Sequence, residues 1–288
     1  MRVTNKTVYD SVRYNLGKIS EEMSKANQIA SSGKLISDLS DDPVGLTQSL
    51  KIKSVISGLD QLGRNVSLGK SWLSASESAL TGVQDLISDT KALCVQMASS
   101  TTGASQRASA AATVQNTLDE ILSLANTEVS GRYIFSGTKT DSAAFDQDGN
   151  YLGNDEPFAI KIGINTTASV GSNGQGVFGT IFTTLNDLKN NLTGNNIDGI
   201  QASLDSLTRH FNDITNKISD IGSKMNRMEI KEQIFQDSKL VNTDRVSAIE
   251  DADIADAIIN VKEKELAYQA ALNSSSKVMQ LSLVDYLK

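Results

Sequence analysis

Apolar side chains recur at alternating steps of three and four residues through most of the chain, which is the heptad pattern of helices packed along their length. A first helix is predicted near the amino terminus. It should end at Gly33, because glycine readily adopts the conformation that terminates a helix. Asp42 and Pro43 then suit the cap and the first position of a second helix. One face of the first helix carries Val8, Val12, Leu16, Ile19 and Met23.

The second helix is predicted to be very long, because its heptad positions continue for about fifty residues, or roughly 75 Å of helix. Residues 101–106 interrupt it, and a third helix follows with apolar positions from Ala111 to Val129. Such a length indicates a rod rather than an element of a globular domain. The heptad positions of the long helix are Ile52, Val55, Leu59, Leu62, Val66, Gly69, Leu73, Ser76, Leu80, Val83, Ile87, Thr90, Cys94 and Met97.

The heptad pattern returns in the second half of the chain, where ten consecutive a and d positions from Ile197 to Met228 are all apolar. A last helix starts near Asp253 and has an apolar stripe along one face. The two halves together predict a mainly α fold, a long antiparallel coiled-coil rod built from both chain ends. The stripe of the last helix consists of Ile254, Ile258, Val261, Tyr268, Leu272 and Met279.

Residues 138–180 lose this pattern and predict a small β-rich insertion. Residues 158–164 (FAIKIGI) alternate apolar and polar side chains, as a strand with one solvated face does. Residues 144–152 (AFDQDGNYL) place an Asp-Gly pair at a hairpin turn, and their carboxylates lack the spacing of a calcium loop. The glycine-rich residues 171–176 are interpreted as a flexible loop with no helix start behind them.

These patterns predict three domains. They are a terminal helical domain of residues 1–40 and 255–288, a coiled-coil domain of residues 41–137 and 180–254, and an outer β-rich domain of residues 138–179. Between two glycines, the cluster Tyr133, Ile134 and Phe135 marks the junction from the helices to the β-rich domain. A buried aromatic anchor would also account for this cluster.

The composition offers little chemistry. With a net charge of −7 and a pI near 4.9, the chain lacks the basic surface that attracts nucleic acid or an anionic membrane. No apolar segment is long enough to cross a bilayer, and the amino terminus lacks the apolar core of a cleaved secretion signal. We assign the single histidine, His210, to a helix flank and the single cysteine, Cys94, to a helix core. The sequence therefore predicts no catalytic residue, cofactor or metal site, and the acidic residues 250–253 are interpreted as favouring a helix dipole.

The carboxy-terminal helix is not expected to be stable alone. Burying about eight large apolar side chains contributes roughly 12 to 24 kcal/mol. Ordering its thirty or so residues costs about 1 to 2 kcal/mol each, a larger sum even after helix hydrogen bonds return part of it. We therefore expect the chain ends to fold when neighbouring subunits supply more surface.

Several segments resemble the bacterial flagellin superfamily. Residues 30–46 (ASSGKLISDLSDDPVGL) and 52–80 (IKSVISGLDQLGRNVSLGKSWLSASESAL) are similar to its amino-terminal region. Residues 245–258 (RVSAIEDADIADAI) and the closing LSLVDYL are similar to its carboxy-terminal region. Within the superfamily, the opening MRVTNKTVYD, the proline after the Asp pair and residues 131–140 (GRYIFSGTKT) resemble the hook-filament junction branch, hook-associated protein 3.

This resemblance implies an architectural function in the flagellum. It implies that the terminal helices form the paired inner layer of a tubular lattice, with the long helices outside them and the β-rich part on the outer surface. The chain would be exported unfolded through the flagellar type III apparatus, with an export chaperone shielding its last helix, to the extracellular flagellum. Copies would there join hook-associated protein 1 to the first flagellins. The apolar stripes of the first and last helices would form the assembly interface.

Four alternatives stay open. One is an enzyme site in residues 138–180, which would need a pocket of polar residues that so short a segment rarely forms. The apolar stripes could be ordinary intramolecular core. The chain could be a small flagellin that forms the filament and polymerises without limit. It could also be a soluble coiled-coil adaptor or signalling protein, although such a protein needs neither a β insertion nor apolar chain ends.

Overall fold

The structure, a computed structural model, describes residues 3–284 and, within them, the side chains of residues 6–277 except residue 8. About three quarters of the chain is helical, and the described strands pair as two short antiparallel hairpins, which confirms the predicted mainly α fold with a small β-rich part. The helices are α1 (Val3–Ser32), α2 (Pro43–Met97), α3 (Ala104–Ala125), α4 (Gln175–Thr193), α5 (Ile197–Glu250) and α6 (Ile254–Val284). The strands are β1 (Glu128–Val129), β2 (Arg132–Tyr133), β3 (Ala159–Lys161) and β4 (Thr167–Ser169).

The chain divides into two compact units. The terminal unit comprises residues 1–57 and 239–288, so it contains α1, α6 and the adjoining ends of α2 and α5. The central unit comprises residues 58–238 and contains α3, α4 and all four described strands. The division into three domains stays a prediction.

The central unit is built on the predicted heptad seams of α2 and α5. Every predicted position of α2 from Val66 to Met97 is buried, including the polar Ser76 and Thr90. The Ser76 hydroxyl donates to the Trp72 carbonyl at 2.9 Å, and the Thr90 hydroxyl donates to the carbonyl one turn earlier at 2.7 Å. Both polar groups are therefore satisfied within the helix. On α5 every seventh residue is buried, namely Ile200, Leu207, Ile214, Ile221 and Met228.

A glycine interrupts the α2 seam where the β3–β4 hairpin packs against it. A Cβ atom at Gly69 would stand 2.4 Å from the Cδ1 atom of Ile160, so a larger residue would force the Ile160 side chain to move. Ile160 and Ile162 are buried, whereas Ala159 and Lys161 are exposed. This alternation confirms the predicted strand with one solvated face.

The predicted turn within residues 144–152 is also confirmed. Phe145 and Tyr151 pair as an antiparallel bridge, and Gly149 has a φ of +80°. Oδ1 of Asp146 accepts hydrogen bonds from the N–H groups of Asp148 at 3.0 Å and Asn150 at 2.8 Å. The Asp146 carboxylate therefore stabilises the turn.

The interpretation of residues 171–176 is wrong in one respect, because helix α4 begins at Gln175. Oδ1 of Asn173 accepts a hydrogen bond from the Gln175 N–H at 2.8 Å, next to the start of the helix. Helix α4 packs on α3, and the ring of Phe178 meets that of Phe135 edge-on at a centroid distance of 4.9 Å. The glycines of residues 171–176 suggested a loop and drew attention away from the apolar helical period after them. That period consists of Val177, Phe178, Ile181, Phe182, Leu185, Leu188 and Leu192.

Candidate assembly surface

The terminal helices α1 and α6 pack against each other as an antiparallel pair. Glu22 and Lys264 bridge the pair, with 2.8 Å between Oε2 and Nζ, and this hydrogen bond and charge lower the pKa of Glu22. Among the described side chains, Ala26 is the buried apolar residue of α1 and Ala257 that of α6. Two small side chains do not make a core, and large apolar side chains of the pair such as Tyr14, Ile259 and Leu266 stay exposed.

Well-defined caps mark the end of α1 and the starts of α2 and α6. Helix α1 ends at Ser32, and Gly33 follows with a φ of +70°, which confirms the predicted stop. Oδ1 of Asp42 accepts hydrogen bonds from the N–H groups of the second and third residues after it, at 2.9 and 3.0 Å, and Pro43 is the first residue of α2. The predicted cap is therefore confirmed. Oδ1 of Asp253 caps α6 in the same way, accepting from the Ala255 N–H at 2.8 Å.

Exposed apolar side chains are concentrated in the terminal unit. Among its described residues, the buried apolar side chains are those of Ala26, Ile36 and Ala257. A folded unit of this size would ordinarily bury far more, because apolar burial is the main term that offsets conformational entropy. Its exposed large apolar residues are Tyr9, Tyr14, Leu35, Leu39, Val44, Leu50, Val55, Leu240, Val241, Ile254, Ile258, Ile259, Leu266 and Leu272.

Helix α6 is apolar on two sides. Ala257, Val261 and Tyr268 are buried or half-buried and follow one another at helical spacing on the side that meets α1. Ile259 and Leu266 lie seven residues apart on another side, where they are 56% and 69% exposed. A helix with apolar residues on two sides requires a second partner beyond its first.

The predicted interface residues fall into two groups. Val12, Leu16, Ile19, Met23, Val261 and Tyr268 are half-buried, as expected for the seam between α1 and α6. Ile254, Ile258 and Leu272 are about half exposed at the edge of that seam. The side chains of Val8 and Met279 lie outside the described residues. Sequence reasoning missed Ile259 and Leu266 because it followed a single stripe, although the apolar residues all around α6 indicate a second side.

A buried carboxylate lies where the chain passes between long and terminal helices. Glu250, the last residue of α5, has a side chain that is 2% exposed. Its Oε2 atom accepts a hydrogen bond from Nζ of Lys34 at 2.8 Å. Its Oε1 atom accepts hydrogen bonds from the hydroxyl of Ser49 and from Nζ of Lys53 on α2. We call these four residues the Glu250 clamp.

The clamp keeps Glu250 ionised. Burial alone would raise the pKa of this carboxyl, but the hydrogen bonds from Lys34, Lys53 and Ser49 outweigh burial and lower the pKa to about 2. The interpretation of residues 250–253 as acidic residues at a helix start is therefore wrong for Glu250, although it holds for the capping Asp253. Sequence reasoning missed the clamp because Lys34 and Glu250 are 216 residues apart.

The Tyr133–Phe135 cluster lies inside the central unit. Ile134 and Phe135 are fully buried, and Tyr133 sits in β2 with its N–H donating to the Thr140 carbonyl at 2.9 Å. A hydrogen bond with Glu128 raises the pKa of the Tyr133 hydroxyl. The position of Phe135 against Phe178 is that of a buried aromatic anchor.

The remaining candidate groups have structural surroundings. Cys94 is buried in the α2 seam, as predicted, and burial raises the pKa of its thiol to about 12. Nε2 of His210 lies 2.9 Å from the Thr184 hydroxyl, and burial lowers the pKa of its imidazole. In the part of the chain that the structure describes, acidic, histidine and cysteine side chains do not gather into a group that could hold a metal. None of the described helices is long and apolar enough to span a membrane.

A central unit with its own heptad core and terminal helices with uncovered apolar sides are the features of a structural protein that packs against further chains. Comparison with known families agrees. The N-terminal helical region of bacterial flagellin matches residues 3–140, and its C-terminal helical region matches residues 204–287, which together make up about three quarters of the chain. The chain belongs to the bacterial flagellin family. It is a structural component of the flagellum, in a family of flagellar structural proteins.

Individual relatives align with this chain over nearly their whole length. The flagellar hook-associated protein 3 of Escherichia coli K12 is 25% identical, and the alignment covers all of both chains. The protein of the same name from Salmonella typhimurium is 24% identical over 98% of each chain. The crystal structure of Bacillus cereus FlgL covers 68% of this chain and 99% of its own, with a TM-score of 0.62 and 22% identity, and shows the same fold.

Proposed function

We propose that this chain joins the flagellar hook to the filament, as copies that assemble through the terminal unit. The observation that carries the proposal is the uncovered apolar surface of that unit, above all the second side of α6 at Ile259 and Leu266. The end-to-end alignment with two hook-associated proteins 3 supports a junction role. The function is architectural, so no catalytic residue is assigned.

The stripes on α1 and α6 would act at two levels. Val12, Leu16, Ile19 and Met23 meet α6 within one copy, and Ile254, Ile258 and Leu272 meet a neighbouring copy together with Ile259. Covering side chains that are about half exposed adds roughly 1 kcal/mol each. Several such contacts per copy are enough to order helices that are marginal alone.

The neighbours in this proposal are hook-associated protein 1 on one side and flagellin on the other. Export through the flagellar type III apparatus would deliver the chain to the extracellular flagellum. Before export, a chaperone would cover the apolar sides of α6. The support for this last point is the low burial of α6, which would otherwise promote aggregation in the cell.

The alternative is a small flagellin, which is favoured by the fact that both matching family regions are those of flagellin itself. The two functions differ in how assembly ends. A filament subunit repeats the same contact without limit, whereas a junction subunit must present a different surface to the hook and to the filament.

Electron microscopy of purified components tests the proposal. The chain is mixed either with isolated hooks that carry hook-associated protein 1 or with filament fragments, all from its own source organism. We expect a short layer at hook ends that stops growing and then accepts flagellin. Long polymers of this chain, grown on either seed, would establish the flagellin alternative. Absence of binding to hook ends would refute the junction function.

A further inference from the structure

The two crossings between long and terminal helices are joined to each other. Residues 33–42 lead from α1 to α2, and residues 251–253 lead from α5 to α6. The Leu35 N–H donates to the Glu250 carbonyl at 2.6 Å, and the Ala252 N–H donates to the Gly33 carbonyl at 2.9 Å. These bonds form a short antiparallel link, with Lys34 opposite Asp251.

The Glu250 side chain ties this link to α2. Its two oxygens take one donor from the first crossing, Lys34, and two from α2, Ser49 and Lys53. Three donors on one buried carboxylate fix both its position and its charge. Glu250 also provides the carbonyl that binds Leu35, so this one residue joins the end of α5 to the first crossing and to α2.

We propose that Glu250 is a positioning residue for assembly: its clamp holds the two crossings together in the free subunit, so that α1 and α6 leave the long helices side by side. The inference rests on the proposed function, since it concerns how the terminal helices are presented to a neighbouring copy. Holding the end of α1 next to the start of α6 lowers the entropy cost of bringing these two distant parts of the chain into contact. The α1–α6 pair then has only to pack against a neighbour when one arrives.

Further contacts stabilise the conformation of the first crossing. Nζ of Lys25 on α1 lies 2.6 Å from Oδ1 of Asp41, and Oδ2 of Asp41 accepts the N–H groups of Ser37 and Asp38, each at 3.1 Å. The ion pair and these backbone hydrogen bonds lower the pKa of Asp41 to about 2. The first crossing is thus folded on itself as well as held by Glu250.

The test uses the full chain with Glu250→Gln, which keeps the shape of the side chain and removes its charge. The matched control is Asp220→Asn, which removes an exposed carboxylate paired with Lys224 on α5 in the central unit, outside the proposed interface. Three quantities are measured: amide exchange of Leu35 and Ala252 in the free subunit, the unfolding transition followed by the fluorescence of the single tryptophan, and the rate of addition to hook ends. Trp72 is buried in the central unit, so its transition reports on that unit.

In the parent chain and in Asp220→Asn, we expect both amides to be protected. In Glu250→Gln, protection of Leu35 and Ala252 should fall at least tenfold, addition to hook ends should slow by a similar factor, and the Trp72 transition should stay unchanged. Ser49→Ala, which removes one donor and leaves the lysines, should give a smaller loss in both quantities.

Three results would overturn the inference. Unprotected amides in the parent would mean that the clamp does not exist in the free subunit. Normal addition by Glu250→Gln despite lost protection would mean that the clamp does not serve assembly. A Trp72 transition lowered along with the amides would make Glu250 a general stabilising residue. Failure of the parent chain to add to hook ends would count against the junction function alone, because the amide measurement needs no hook.

Discussion

Replacing Ile259 of α6 by aspartate should prevent assembly while leaving the free subunit folded. Ile259 is 56% exposed, so its substitution removes little packing from the chain itself. It lies on the side of α6 away from the α1 seam. The change therefore acts on contacts with a neighbouring copy.

The size of the effect follows from the surroundings of this side chain. Full burial of an isoleucine contributes about 1.5 to 3 kcal/mol, and about half of that surface is left for a neighbour to cover, so about 1 kcal/mol is lost. The new carboxylate would also be buried at a cost of several kcal/mol, because the adjacent Lys262 is already paired with Glu265 at 2.8 Å. At about 1.4 kcal/mol for each factor of ten, the subunit concentration needed for assembly should rise at least ~100-fold.

The assay is co-sedimentation of the chain with isolated hooks over a range of subunit concentrations. The matched control is Ile164→Asp, which changes an isoleucine that is 83% exposed in the central unit. The control should bind like the parent, and both variants should keep the parent's helix content and Trp72 transition. If Ile259→Asp binds hooks at the parent's concentration, the second side of α6 is not an interface and the reasoning fails.

Three further predictions concern the free subunit. The lowered pKa of Glu250 means that its ionised form stabilises the folded state above its usual pKa of 4.5. That contribution, on the order of 3 kcal/mol, should be lost as the pH falls from about 5 through about 2, and Glu250→Gln should flatten the pH dependence of the free energy of unfolding in acid. Cys94 should react with thiol reagents only at the rate of unfolding, because its thiol is buried with a pKa of about 12; fast labelling at neutral pH would contradict its burial. Amides of residues 3–32 and 255–284 should exchange much faster than those of residues 197–228. Equal protection would mean that the terminal helices are stable without a neighbour.

Much of the central unit could be predicted from the sequence, because its seams depend on local periodicity. The buried positions of α2 from Val66 to Met97 and of α5 from Ile200 to Met228 repeat every seven residues, and a helix places such residues on one side whatever its partner is. Asp42, Gly33 and the turn at Asp146 were also predictable, since caps and turns are made by neighbouring residues.

Contacts between distant parts of the chain were decided only by the tertiary structure. No local pattern brings Lys34, Ser49 and Lys53 to Glu250, or explains why Gly69 must be small where Ile160 approaches it. Local periodicity specifies which side chains are apolar and at what spacing they recur along a helix. Which of them are covered within one copy depends on how many helices surround each side chain, and that follows from the packing. The central unit surrounds its seams with α3, α4 and the hairpins, whereas α6 meets α1 on one side and leaves Ile259 and Leu266 open on the other.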